Sequence, residues 1–90
     1  MNTLNTLEIL ERLIAFPTVS RDPNRALIDW VVALLAEHGI ASTLIPDASG
    51  HKANLYATIG PVDRPGVMLS GHTDVVPVDG QDWAKPPFEL

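Results

Sequence analysis

Apolar residues recur with the period of an α-helix near the start of the chain. Their spacing of three and four residues predicts a helix that presents one apolar face, formed by Leu4, Leu7, Leu10 and Ile14. Asn5 followed three residues later by Glu8 predicts a capping box at its start. Pro17 predicts its end, because the residue before a proline avoids the α-helical conformation.

A second helical pattern follows, with apolar positions at Leu27, Val31, Leu34 and Leu35. Asp22 and Pro23 predict its start, since an aspartate accepts hydrogen bonds at the N-cap and a proline suits the first helical position. Gly39 predicts its end, because glycine readily adopts the left-handed conformation that terminates helices. We therefore expect two helices before any strand.

After Gly39 the pattern changes to the short apolar and alternating runs of β-strands. Three strands are predicted, at residues 40–45, 54–59 and 67–69. The loop between the second and third strands is too short for a crossover helix, so these two strands are predicted to form an antiparallel hairpin. The third strand is apolar on both faces and is predicted to be central. The order of elements indicates an α/β layered domain, of which residues 1–90 form one part.

Composition limits the possible functions without naming one. Of the 90 residues 46% are hydrophobic, which predicts a folded core, and the net charge is −5. The six basic residues are scattered along the chain, which argues against nucleic-acid binding, because phosphate recognition requires a basic stripe. There are no cysteines, so any metal ion must be bound by His, Asp or Glu.

The N-terminal residues have no basic region and run directly into the first helical pattern, unlike a signal peptide. The longest apolar stretch, residues 30–36, is far shorter than a membrane span. The sequence therefore predicts a soluble cytoplasmic protein without a membrane partner.

Candidate chemistry lies in the segment Gly71-His72-Thr73-Asp74, directly after the third predicted strand. Ligands of open α/β sheets bind at the carboxyl ends of strands. Alternation along an extended chain places His72 and Asp74 on one face, where the carboxylate can hold the second nitrogen of a metal-binding imidazole. The alternative is a polar strand end at which the two side chains pair only with each other and with water.

The remaining polar and aromatic candidates have simpler explanations. His38 is expected to be exposed in the last turn of the second helix, and His51 to be solvated in a loop. Asp79 and Asp82 are expected in a solvated turn. Trp83 and Phe88 either line a substrate channel or complete a core or an interface.

Two longer runs resemble the first signature of a known enzyme family, namely residues 68–78 around His72 and residues 82–88 around Trp83. The run at 10–20 resembles the first helix of that family and the turn after it, and residues 54–57 resemble its second strand. The family is the zinc-dependent one that includes acetylornithine deacetylase, succinyl-diaminopimelate desuccinylase, aminoacylase and carboxypeptidase G. The stretch from Gly71 to Trp83 is most similar to its acetylornithine deacetylase branch.

This resemblance implies a zinc-exopeptidase-like α/β/α catalytic domain, of which residues 1–90 are the N-terminal part. It implies that His72 binds one Zn²⁺ ion of a two-zinc site, for which Co²⁺ is the alternative metal, and that Asp74 is its catalytically important partner. The remaining metal ligands and the catalytic glutamate would follow Leu90, so residues 1–90 alone are expected to be inactive.

The implied reaction is removal of the acetyl group from N2-acetyl-L-ornithine, giving L-ornithine and acetate for arginine biosynthesis, by a protein that forms a homodimer at full length. One alternative is hydrolysis of another small N-acyl amino acid, as in a desuccinylase. The other is a non-catalytic binding module that retains the fold.

Overall fold

The computed structural model describes residues 3–90, which contain two α-helices followed by two β-strands. Helix α1 spans Thr6–Ala15 and helix α2 spans Arg25–Glu37. Strand β1 spans Ser42–Pro46 and strand β2 spans Ala53–Ala57. Neither helix in this described part is long and apolar enough to cross a bilayer. The element order confirms the α/β class.

The predicted capping box of α1 is confirmed. The Asn5 side-chain oxygen accepts the backbone N–H of Glu8 at 2.8 Å, and the Glu8 carboxylate accepts the backbone N–H of Asn5 at 3.2 Å. These bonds satisfy two amide groups that a helix start otherwise leaves without an intrahelical partner. The helix ends at Ala15, and its C-cap residue Phe16 has an extended backbone before Pro17, as predicted.

Helix α2 begins later than the sequence predicts, at Arg25, and its N-cap residue is Asn24 rather than Asp22. The Asn24 side chain makes no capping bond because it is used across the fold. Its oxygen accepts the backbone N–H of Ala53 at 2.9 Å, and its amide donates to the Ala53 carbonyl at 3.1 Å. The predicted end is confirmed, because Gly39 follows the helix with a φ of +73°.

Strands β1 and β2 form an antiparallel pair, in a register from Ser42 opposite Ala57 to Pro46 opposite Ala53. The prediction that the second strand pairs with a third strand at 67–69 was wrong. Residues 67–69 have no strand conformation, and Val67 and Leu69 are 89% and 92% exposed. A strand requires a neighbouring strand for its backbone hydrogen bonds, and none lies beside this segment within residues 3–90.

The core lies between α2 and β2. Leu27 and Ile28 of α2 and Ala53 of β2 are buried against one another. Partly buried apolar side chains from the helices and strands pack around them, namely Leu13, Phe16, Val31, Val32, Leu44 and Leu55. The C-terminal end of α1 contacts α2 through two aromatic side chains. The ring centroids of Phe16 and Trp30 lie 6.3 Å apart at an interplanar angle of 50°.

After β2 the chain from residue 58 to 90 contains no helix or extended strand. At Val75 this segment makes an isolated parallel bridge with Val19, which lies in the connection between α1 and α2. Val19 and its neighbour Thr18 are buried. This bridge fixes the position of the segment that carries His72 and Asp74.

Candidate functional site

His72 and Asp74 lie in an irregular segment that leads into the bridge at Val75. Their predicted place at the end of a central strand was wrong, because residues 67–71, directly before them, have no strand conformation. The two side chains are nevertheless on the same side of the chain and in contact. The His72 ring nitrogen Nδ1 lies 2.9 Å from Asp74 Oδ1 and 3.0 Å from the Asp74 carbonyl oxygen.

This contact determines which nitrogen of the His72 ring is free. Both neighbours of Nδ1 are oxygen acceptors, so Nδ1 carries the proton and donates it. In the neutral ring the lone pair is then on Nε2, and the ring is 83% exposed. An exposed imidazole held in this tautomer by a carboxylate is a typical metal ligand.

Hydrogen bonds to both of its oxygens stabilise the ionised form of the Asp74 side chain. Its Oδ2 accepts the Ser20 hydroxyl at 2.7 Å, while Oδ1 accepts from His72. These hydrogen bonds, that of Ser20 first, hold the pKa of the Asp74 carboxyl below its usual value of 3.8, against a smaller opposing effect of desolvation. Asp74 is therefore ionised at neutral pH and suited to orient the ring.

The segment Thr18–Val19–Ser20 after α1 anchors the site, and the sequence analysis missed this role. The Thr18 hydroxyl donates to the Thr73 carbonyl at 2.6 Å. The backbone of Ser20 donates to the Val75 carbonyl at 3.0 Å, and the Val75 N–H donates to the Thr18 carbonyl at 3.0 Å. The signal available in the sequence was the β-branched pair Thr18-Val19 followed by a serine, which indicates an extended segment and does not identify its partner.

The described residues fit one metal ligand and not a complete zinc site. Within residues 3–90 no three or more His, Asp or Glu side chains lie close enough together to hold a metal ion. A catalytic zinc requires about three protein ligands. His72 can supply one of them through Nε2, and Asp74 supports it from behind.

The other two histidines have the surroundings that the sequence predicts. His38 is exposed at the end of α2, where its Nδ1 lies 2.9 Å from the Leu34 carbonyl oxygen. His51 is exposed in the loop between β1 and β2. In the described part of the chain, neither histidine belongs to a group of three or more side chains that could bind a metal ion.

Trp83 and Phe88 lie near the site rather than in the core. Together with Phe16, Val76 and other apolar side chains they line an open cavity of about 410 Å³, to which His72 also contributes. The channel interpretation of these aromatics is thus compatible with their position. Asp79 is in an exposed ion pair with Arg21 at 3.1 Å.

Comparison with known proteins gives one consistent result. An acetylornithine deacetylase of Pasteurella multocida is 41% identical over 91 aligned positions, which cover 93% of this chain. The acetylornithine deacetylases of Photorhabdus laumondii and Yersinia pestis are 37% and 35% identical over the same share. The chain is similar to acetylornithine deacetylases along nearly its whole length. This similarity confirms the resemblance drawn from the residues around His72.

The match covers 93% of this chain but only a small part of each acetylornithine deacetylase. The chain spans 24% of the length of the Pasteurella and Yersinia proteins and 23% of the Photorhabdus protein. No protein-family model and no solved structure matches the chain.

Proposed function

We propose that residues 1–90 are the N-terminal part of the metal-dependent catalytic domain of an amidohydrolase that removes the acetyl group from N2-acetyl-L-ornithine. The products are L-ornithine and acetate, and the proposed context is arginine biosynthesis. The observation that carries this proposal is the similarity of 93% of the chain to proteins named acetylornithine deacetylase. The contact between His72 and Asp74 supports it, because it presents a metal-binding nitrogen to solvent.

In this proposal His72 binds a metal ion through Nε2, and the Asp74 carboxylate accepts a hydrogen bond from Nδ1–H and holds the ring in that orientation. The chemistry that a bound two-zinc site supplies, or its Co²⁺ equivalent, is a lowered pKa of the attacking water and polarisation of the amide carbonyl. The exposed ring leaves access for further ligands from outside residues 1–90. Asp74 stays ionised throughout, because the hydrogen bonds from Ser20 and His72 hold its pKa below 3.8.

The proposed partner of the site is a small N-acyl amino acid, in a cytoplasmic protein that forms a homodimer at full length. The scattered basic residues and the acidic balance of −5 support a small-molecule substrate over nucleic acid. The apolar cavity beside His72 is a place where the aliphatic part of such a substrate can lie.

The test is hydrolysis of N2-acetyl-L-ornithine by the whole zinc-loaded protein, with N-succinyl-L,L-diaminopimelate as the competing substrate. We expect a higher kcat/KM for the acetyl substrate, loss of that activity in His72→Ala, and no loss in His38→Ala, which removes another exposed histidine. Preference for the succinyl substrate would identify a desuccinylase. Activity on neither substrate would favour a binding module.

A further inference from the structure

We infer that Ser20 is a positioning residue that fixes the Asp74 carboxylate and, through it, the tautomer and orientation of the His72 ring. The inference deepens the proposed function and rests on it only for its catalytic consequence. Ser20, Asp74 and His72 form a hydrogen-bonded chain of side chains that joins residues 54 positions apart in sequence. Ser20 itself touches no reacting group.

The Ser20 hydroxyl has one proton and two acceptors within reach. Asp74 Oδ2 lies 2.7 Å from the hydroxyl oxygen, and the Val75 carbonyl oxygen lies at 3.2 Å. The shorter contact is to the charged acceptor, and hydrogen bonds to ionised groups are the stronger ones. The proton is therefore donated to Asp74.

Each oxygen of the Asp74 carboxylate has a different donor. Oδ1 accepts from the His72 ring and Oδ2 accepts from Ser20. Rotation of the carboxylate would break both bonds, so the Ser20 bond fixes the plane of the group that the imidazole faces. Without it the carboxylate is free to turn toward solvent, because Asp74 is 56% exposed. His72 then loses the charged one of the two acceptors that keep its proton on Nδ1, and only the neutral Asp74 carbonyl oxygen at 3.0 Å remains.

The Ser20 backbone is anchored without the hydroxyl group. Its N–H donates to the Val75 carbonyl, and its own carbonyl accepts from the Lys52 ammonium group. The Thr18 side chain adds its bond to Thr73 beside them. Ser20→Ala therefore removes the bond to Asp74 and leaves the attachment of the two segments in place.

The chain also contains a matched serine and aspartate pair outside the site. In the loop between β1 and β2 the Ser49 hydroxyl donates to Asp47 Oδ1, also at 2.7 Å and also at the surface. Ser49→Ala deletes the same chemical bond without touching His72. It controls for the general effect of losing a surface serine hydroxyl.

The first experiment measures the His72 tautomer by ¹⁵N NMR of the ring nitrogens in the metal-free whole protein, at a pH where the ring is neutral. We expect the Nδ1-protonated form to dominate in the wild type and in Ser49→Ala. In Ser20→Ala we expect its share to fall, and in Ser20→Thr, which keeps a hydroxyl group, we expect it to recover. An unchanged tautomer in Ser20→Ala would overturn the inference whatever the protein catalyses.

The second experiment measures kcat, KM and thermal unfolding for the same variants on N2-acetyl-L-ornithine. We expect Ser20→Ala to lower kcat about tenfold, the low end of the range for lost partners of metal-binding histidines, with KM and Tm near wild type. Wild-type kcat in Ser20→Ala alongside a defective Asp74→Ala would overturn the positioning role alone. Full activity in both Asp74→Ala and His72→Ala would overturn the proposed function instead, and the NMR result would still decide the role of Ser20.

Discussion

At the residue scale the site depends on hydrogen bonds that assign each proton. The His72 ring donates through Nδ1, and both oxygens of Asp74 accept. A metal-binding role and a merely structural pairing predict different consequences of removing each partner. Mutation of each residue in turn therefore distinguishes the role of His72 from that of Asp74.

In the whole protein we expect Asp74→Ala to lower hydrolytic activity about 10-fold to 100-fold while most of the zinc is retained, because in the proposed site Asp74 orients a ligand without bonding the metal. His72→Ala removes the ligand itself, so zinc occupancy and activity should both fall further. Zinc content by atomic spectroscopy and acetylornithine hydrolysis are measured on the same preparations. Wild-type activity in Asp74→Ala would mean that the pair is only a polar surface contact.

Asp47 offers a second prediction at this scale. The Ser49 hydroxyl, followed by the smaller contributions of backbone N–H groups in the loop, lowers the pKa of the Asp47 carboxyl below its usual value of 3.8. Because the pKa is lower in the folded state, the contribution to stability is present above pH 3.8 and is lost as the pH falls through the folded-state value. Ser49→Ala should raise this pKa toward 3.8, which a carboxyl ¹³C NMR titration can measure. An unchanged titration would show that the backbone donors hold the carboxylate alone.

At the scale of elements, the two helices are stabilised by different means. Helix α1 has no fully buried residue and depends on its cap and on contacts of Leu13 and Phe16 with the core. Helix α2 buries Leu27 and Ile28 and is joined to β2 through Asn24. The residue whose mutation is expected to destabilise the helix start is therefore Asn5 in α1 and Asn24 in α2, for different reasons.

For α1 we expect Asn5→Ala to lower the free energy of unfolding by about 1 kcal/mol, because the amide of Glu8 loses its acceptor. Asn5→Asp keeps an acceptor at the cap and should remain close to wild type. Urea denaturation followed by circular dichroism compares the two variants. Equal destabilisation by both would show that the cap contributes through something other than this bond.

For α2 we expect Asn24→Ala to cost more, about 1–3 kcal/mol, because it leaves both the N–H and the carbonyl of buried Ala53 without their partners. Asn24→Asp keeps the acceptor and loses the donor, so an intermediate loss is expected. The same urea measurement applies. A loss no greater than that of Asn5→Ala would mean that water replaces both bonds.

At the scale of the whole molecule, the described chain has a small core and much exposed apolar surface. Val19, Leu27, Ile28 and Ala53 are its buried hydrophobic residues, whereas large apolar side chains stay exposed along the segment from Ile59 to Leu69. Exposed apolar surface of this kind is typical of an interaction site. The proposed metal site is similarly partial, because His72 is its single identified ligand.

Residues 1–90 alone should therefore bind Zn²⁺ no more tightly than a surface histidine does. Isothermal titration calorimetry of the chain and of its His72→Ala variant is the appropriate measurement, and we expect both to give weak and similar heats. Tight binding at one zinc per chain that disappears in His72→Ala would contradict this expectation. It would point to a further ligand within the chain, for which His51 is the candidate.

Local sequence patterns determined the parts of this protein that depend on neighbouring residues. The capping box at Asn5 and the glycine stop at Gly39 form from contacts within a few residues, so the pattern alone predicts them. The same holds for the helical periods and for the contact of His72 with Asp74, which are two residues apart. The role of that contact remains a prediction.

Only the tertiary structure decided the features that join distant residues. Strand pairing depends on which backbone edges meet, so β1 rather than residues 67–69 became the partner of β2. The Asn24 side chain makes no capping bond because it pairs with Ala53 instead. Ser20 donates to Asp74 because the bridge between Val19 and Val75 brings the two segments together. Hydrogen bonds across 29 and 54 positions leave no periodic trace in sequence, because either partner alone is an ordinary polar residue.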